Sequence, residues 1–290
     1  MKRRNFALLA GVASLPSPAL RDRLGIMCPV TAEESSTRKT LAAAAEAGYR
    51  RVQVRFPWSK VDDAYLRAFP GWLKAEGLTL EVLSAYVNCA SPATVLMDCR
   101  AEDLPRAIDY AAQQGCRRLI AWTGGYGAGL MKSDPRNFER AAEDAIVRFL
   151  EKHTPALEKN RLSLALETYI TLACPDAPSL RRLLDRLPAS VGAVMDPPNL
   201  MPVERYAERD QVLREMFQTL RGRIGVVHLK DVRLKPDQSG YDLPGPLDGE
   251  LNYGLYLEQV KALAADIPVI AEHLQPAQFR AARVRLLERL

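Results

Sequence analysis

Four apolar runs in the second half of the chain each end in a residue type that binds metal. Leu162–Leu166 ends in Glu167, Val191–Met195 in Asp196, Ile224–Val227 in His228 and Ile267–Ala271 in Glu272. One such run reads equally well as a buried strand that stops in solvated polar residues; the recurrence points to a shared site. Three carboxylates and an imidazole form an oxygen-rich donor set. That set suits a hard or borderline divalent ion such as Mn²⁺, Mg²⁺ or Co²⁺, with Zn²⁺ admissible, rather than a closed thiolate zinc site. Four protein ligands at an octahedral ion leave two positions for the adjacent carbonyl and hydroxyl of a sugar. A metal there would polarise the carbonyl, and the neighbouring C–H would become acidic enough for a carboxylate to take its proton. Glu167 and Glu272, supplied by separate runs, are the expected base and acid.

Further residues are placed around this set. Arg55 ends the expected second strand, and Lys230 lies two residues beyond His228, on the same side of an extended chain. Either can receive a substrate oxyanion or phosphate. Trp122 is expected as an apolar wall under a sugar ring, and Asn199 and Arg233 complete the substrate-binding set. His273 follows Glu272 directly, so a regular strand would turn it to the opposite side, as a packing residue or a support behind the ligands rather than a ligand. His153, at a helix end, reads as a surface residue.

The elements that must hold these side chains alternate from Arg21 onward. Strands are expected at 24–28, 51–56, 79–87 and 118–122, and the four runs above supply the fifth to eighth. Helices are expected at 35–48, 62–77 with a break at Pro70-Gly71, 103–115, 135–152, 179–187, 207–220, 255–265 and 277–290. Nearly continuous apolar strands alternating with helices indicate a parallel sheet covered on both faces. Eight such units favour a single-domain α/β (β/α)8 TIM barrel, whose strands direct their carboxyl ends to one face. The metal-ligand candidates are separated by about one βα unit each, which brings them to that face.

The 290 residues are enough for one such barrel with a sizeable core, and hydrophobic residues make up 48%. The net charge of +5 is modest and the basic residues are interspersed with acidic ones, so no nucleic-acid footprint is expected. The five cysteines show no CxxC spacing, which argues against a disulfide framework or structural zinc. Homo-oligomer formation is left open. Residues 1–20 are set apart: Arg3-Arg4-Asn5-Phe6 leads into a short apolar stretch, in the pattern of a twin-arginine export signal. The stretch is too short for stable membrane insertion. Periplasmic export is the expectation if the signal operates, and a cytoplasmic location otherwise.

The four strand-end residues, with Met195-Asp196-Pro197-Pro198-Asn199, Val227-His228-Leu229-Lys230-Asp231 and Gly245–Tyr253, resemble the xylose isomerase-like TIM barrels, and more narrowly the sugar phosphate isomerase/epimerase family. The resemblance covers residues 21–290 and implies a divalent metal at Glu167, Asp196, His228 and Glu272. It also implies proton transfer by the two glutamates. Asn199 and Ala173 stand where ketose 3-epimerases of the group carry histidine and glutamate, and three histidines are too few for the three-metal site of endonuclease IV relatives. The function expected is thus a metal-dependent isomerase or epimerase acting through an enediolate on a sugar or keto-sugar, unphosphorylated if the protein is exported. The alternatives are a metal-dependent sugar lyase or dehydratase and a noncatalytic carbohydrate-binding barrel.

Overall fold

A computed structural model describes residues 19–97 and 99–290; the twin-arginine-like segment therefore lies outside the described residues. Eight strands, β1 (Leu24–Pro29), β2 (Arg51–Arg55), β3 (Thr79–Asn88), β4 (Arg118–Trp122), β5 (Ser163–Glu167), β6 (Val191–Met195), β7 (Ile224–Leu229) and β8 (Val269–Ala271), close into one barrel. All pairings within it are parallel, and β1 completes the ring by pairing with both β2 and β8. This is the expected (β/α)8 architecture.

Strand pleating divides the core in two. Val82, Ile120, Ala165, Val194, Val226 and Ile270 pack together inside the barrel. Their chain neighbours Leu83, Ala121, Leu166, Met195, Val227 and Ala271 belong to the larger core between strands and helices. Because side chains alternate with a period of two, the next inward position on each strand carries Ser84, Trp122, Glu167, Asp196, His228 and Glu272. The filled apolar layer below is a floor, and the polar layer stands on it at the carboxyl end.

Several helices differ from expectation. The helix Asp63–Ala75 runs through Pro70 without a break. Proline has no N–H to give to the carbonyl four residues earlier, at Leu66. The Tyr110 hydroxyl donates to that carbonyl instead, at 3.2 Å. The expected 135–152 helix is divided: a 3₁₀ turn covers Pro135–Phe138, Glu139 is extended, and the α-helix covers Arg140–Glu151. A further short helix, Thr154–Lys159, follows. A small antiparallel hairpin pairs Arg233–Leu234 with Tyr241–Asp242 after β7.

The loop after β4 is clamped by Asn88 at the end of β3. Its side chain donates to the Gly125 carbonyl at 2.8 Å and accepts from the Gly125 N–H at 3.0 Å. Gly124 has φ +87°, and a Cβ there would stand 1.9 Å from Asn88 Oδ1, so the position admits no side chain. No helix among the described residues is long and apolar enough to cross a membrane.

Candidate metal centre

Glu167, Asp196 and His228 converge at the mouth of the barrel, each offering a ligand atom within 4.8 Å of the others. All are buried, as is Glu272. The imidazole is the hub. Its Nδ1 faces Glu272 Oε2 at 3.3 Å, Asp196 Oδ2 at 3.6 Å and Glu167 Oε2 at 3.7 Å. Its other nitrogen, Nε2, lies 3.0 Å from Gln53 Oε1, and the Gln53 amide donates to Ser84 Oγ at 3.0 Å. With the glutamine amide nitrogen committed to Ser84, its oxygen receives the Nε2–H. That leaves the Nδ1 lone pair directed at the carboxylates.

The arrangement fits a divalent cation. His228 Nδ1 and Asp196 Oδ1 are buried without a hydrogen-bond partner. Such orphans are costly in a dry interior, and a ring lone pair facing three carboxylates is repulsive unless a positive charge lies between them. In the metal-free chain a proton supplies it: burial lowers the His228 pKa, but the charges of Glu272 and Glu167 outweigh burial and raise it to about 10.

Glu272 departs from the expected four-fold equivalence. It belongs to the cluster through His228, but its Oε1 is 2.8 Å from Lys230 Nζ. The same ammonium donates to Asp196 Oδ2 at 2.7 Å. Burial raises the Glu272 pKa, and His228 and Lys230 more than reverse this, holding the carboxyl well below the usual range. Glu167 is held differently. Tyr86 donates its hydroxyl to Oε2 at 2.9 Å, and Asn199 donates to Oε1 at 3.0 Å. Burial and the Glu167 charge push the Tyr86 phenol well above its ordinary pKa, so it stays a donor.

A cleft of about 500 Å³ opens above the centre and is lined by Arg55, Tyr86, Trp122, Asn199, Lys230 and Glu272, with methionines and leucines around them. The Tyr86 and Trp122 rings stack at 4.9 Å and 22°, forming an aromatic wall. Met97 joins that wall to Arg55: its sulfur accepts from Trp122 Nε1 at 3.3 Å and from Arg55 at 3.5 Å. Cys28 also borders the cleft, but burial raises its thiol pKa to about 12, which keeps it a thiol.

Two placements differ from expectation. Arg233 does not line the cleft; it is exposed on the hairpin and donates to the Asp248 carbonyl at 2.6 Å. β7 ends at Leu229, so its alternation no longer governs where Arg233 points. His273 borders the cleft rather than facing the opposite side, because its φ of +57° breaks the alternation after β8, and its Nε2 stands 4.0 Å from Glu272 Oε1, beside a candidate ligand. Its Nδ1 lies 2.7 Å from the Leu243 carbonyl. His153 is half-buried against the Phe149 ring. Ala173 is buried, and its carbonyl accepts from Thr168 Oγ1.

Gln53, Tyr86 and Met97 were absent from the sequence-based set. Gln53 shares the inward parity of Arg55, two residues later on β2, and a glutamine amid apolar strand residues was a readable signal. Tyr86 has the same parity as Val82 and Ser84 on β3. Met97 sits in a loop, where no periodicity marks it.

A sequence profile described as xylose isomerase-like TIM barrel matches residues 41–289. The chain belongs to that family. No curated protein matches the sequence. Among solved structures, the chain is similar to the D-allulose 3-epimerase of Methylomonas sp. in complex with D-allulose (TM-score 0.68, 14% identity, covering 92% of this chain and 97% of that one). It is also similar to 3-keto-D-glucoside 4-epimerase from E. coli (0.65, 14%, 92% and 99%). A third similar structure is a xylose isomerase-like TIM barrel protein from Mycobacterium smegmatis in complex with magnesium (0.62, 17%, 88% and 88%).

Proposed function

We propose that the chain is a divalent-metal-dependent sugar isomerase or epimerase that moves a proton next to a carbonyl. The observation that carries this reading is the pair of orphaned buried atoms, His228 Nδ1 and Asp196 Oδ1, in a carboxylate cluster beneath an aromatic cleft. Two relatives in fold are named as sugar epimerases, and a third, named only as a xylose isomerase-like TIM barrel protein, is in complex with magnesium. Glu167, Asp196 and His228 would hold the ion, with Glu272 beside them. When bound, the ion supplies Lewis acidity to a carbonyl oxygen presented at the mouth of the barrel.

The chain's own residues do the rest. Tyr86 and Trp122 present an apolar face to a sugar ring and shed water from it. Glu167 is the base. Its two hydrogen bonds come from neutral donors and the His228 imidazole stands 3.7 Å away, whereas Glu272 faces that imidazole at 3.3 Å and the Lys230 ammonium at 2.8 Å. Arg55 has a methionine sulfur rather than a carboxylate as its hydrogen-bond acceptor, and so retains its charge for a substrate oxyanion at the rim. Asn199, where a ketose 3-epimerase of this group carries histidine, is engaged with Glu167. This favours isomerisation, or epimerisation at another carbon.

The test is solvent exchange. Protein loaded with Mn²⁺ and incubated in D₂O with a set of unphosphorylated ketoses and keto-glycosides is expected to place deuterium on the carbon next to the carbonyl, read by NMR. Glu167→Gln should abolish the exchange. Absence of exchange across that set, in protein that retains its metal, would count against the reading.

A further inference from the structure

Lys230 occupies an unusual position for a substrate-binding residue. It is 2% exposed, and its ammonium is spent on the metal centre: 2.7 Å from Asp196 Oδ2 and 2.8 Å from Glu272 Oε1. Asp196 Oδ2 is also the aspartate atom nearest to His228 Nδ1, at 3.6 Å. Asp196 Oδ1 has no partner, but an ion held between the His228 nitrogen and Oδ2 would draw on lone pairs that the ammonium already holds. Lys230 is anchored for this role. Its backbone carbonyl accepts from the Tyr253 hydroxyl at 2.9 Å, and the His228 carbonyl accepts from Tyr256 at 2.6 Å, which fixes the end of β7 from outside the barrel.

We propose that Lys230 is a built-in competitor of the divalent ion. In the metal-free chain its ammonium closes the centre by bridging Asp196 and Glu272, and an ion seated between His228 Nδ1 and Asp196 Oδ2 takes that oxygen from it. The charges make this balance workable. Three buried carboxylates against one ammonium leave two negative charges, which one divalent cation neutralises. The lysine thus weakens metal binding without preventing it, and offsets one of the carboxylate charges when no ion is bound. Since Lys230 also lines the cleft, the ammonium displaced from Asp196 is delivered to the space where the substrate binds. A substrate oxyanion would meet that cation only after the metal has entered. This inference rests on the metal-dependent reading above.

The test compares Mn²⁺ binding to the full chain and to Lys230→Met and Lys230→Gln, by equilibrium dialysis. Competition predicts that both variants bind Mn²⁺ more tightly, on the order of tenfold or more, because a like charge a few Å from the ion has been removed. It also predicts that both melt at lower temperature when metal-free. A lysine that merely shaped the site would move affinity in the other direction. An unchanged or weakened affinity would overturn the inference while leaving the metal centre intact; no Mn²⁺ binding by the unaltered chain would overturn both. Arg55→Met, which removes a cation of the same cleft that forms no ion pair with these carboxylates, should leave Mn²⁺ affinity within about twofold. An equal tightening there would overturn the competition as well, since it would show a general charge effect. If the lysine variants do not fold, the unaltered chain with ¹⁵N-labelled lysine decides the matter. The slowly exchanging ammonium signal of Lys230 should shift or vanish on saturation with Mg²⁺, and a signal unmoved at saturation would contradict displacement.

Discussion

Two glutamates of one cluster differ in their nearest partners, and on the proposed reading that difference divides their work. Glu167 receives hydrogen bonds from neutral Tyr86 and Asn199, while Glu272 faces His228 and Lys230 and is held well below the usual carboxylate range. Glu167→Gln should therefore lower kcat by about 10²–10⁴-fold, the usual worth of general acid–base catalysis, with metal supplied at saturation. Glu272→Gln should show its main defect as weakened metal retention, partly rescued by excess ion; a large kcat loss at saturating metal would instead give Glu272 a proton-transfer role. Tyr86→Phe keeps the ring stack with Trp122 but removes the hydroxyl from Glu167 Oε2. We expect a loss of about 10–100-fold in metal affinity or turnover, as when a partner that orients a metal ligand is removed. The pH dependence follows from His228, whose pKa in the metal-free fold is raised from 6.5 to about 10. A raised pKa contributes stability that is complete below the unfolded value and is lost as pH rises through the folded one. The metal-free chain should therefore lose this contribution between about pH 6.5 and 10. A metal must displace that proton, so its apparent affinity should rise with pH, by about tenfold per unit, and level off near pH 10. Titrations at several pH values with proton release measured in weak buffer check this; pH-independent binding without proton release would contradict it.

At the scale of elements, most of the fold and much of the site were legible, for a physical reason. A parallel strand buried on both faces must be a near-continuous apolar run, so the first polar residue after it marks the carboxyl end of the barrel. Glu167, Asp196, His228 and Glu272 stood out on that ground, and the period of two placed Lys230 with His228. What was not legible depended on contacts distant in sequence or on backbone outside regular structure. The orientation of His273 follows from one left-handed residue. Arg233 lies beyond the end of β7, on a hairpin too short to show a pattern. Pro70 failed to break its helix because Tyr110, forty residues away, satisfies the carbonyl of Leu66. That last case can be tested. Tyr110→Phe should destabilise the fold by about 1–3 kcal/mol, the cost of an unpaired buried acceptor. In a Pro70→Ala background the restored Ala N–H can serve Leu66, and the same substitution should cost markedly less. Equal costs in the two backgrounds, measured by denaturant unfolding, would show that Tyr110 does not compensate for the proline.

On the scale of the whole molecule, the barrel builds an apolar floor and then gathers charged groups from half its strands on top of it. The metal-free form carries the electrostatic cost of that gathering, offset by the His228 proton and the Lys230 ammonium. A ligand that binds the folded chain alone stabilises it, by about 2.7 kcal/mol at a hundred times its Kd. For a domain of this size that corresponds to roughly 5–10 °C in Tm. Chelator should therefore lower the melting temperature of metal-loaded protein by about that amount, and should have no effect on Asp196→Ala.

The most direct measurement is the stoichiometry of Mn²⁺ bound to the purified chain, by equilibrium dialysis with electron paramagnetic resonance of the bound ion. We expect one ion per chain, with nitrogen coupling from the His228 ring, and loss of the ion in His228→Ala and Asp196→Ala variants that remain folded. Absence of binding in the unaltered chain, or undiminished binding in either variant, would contradict a metal centre built on these residues.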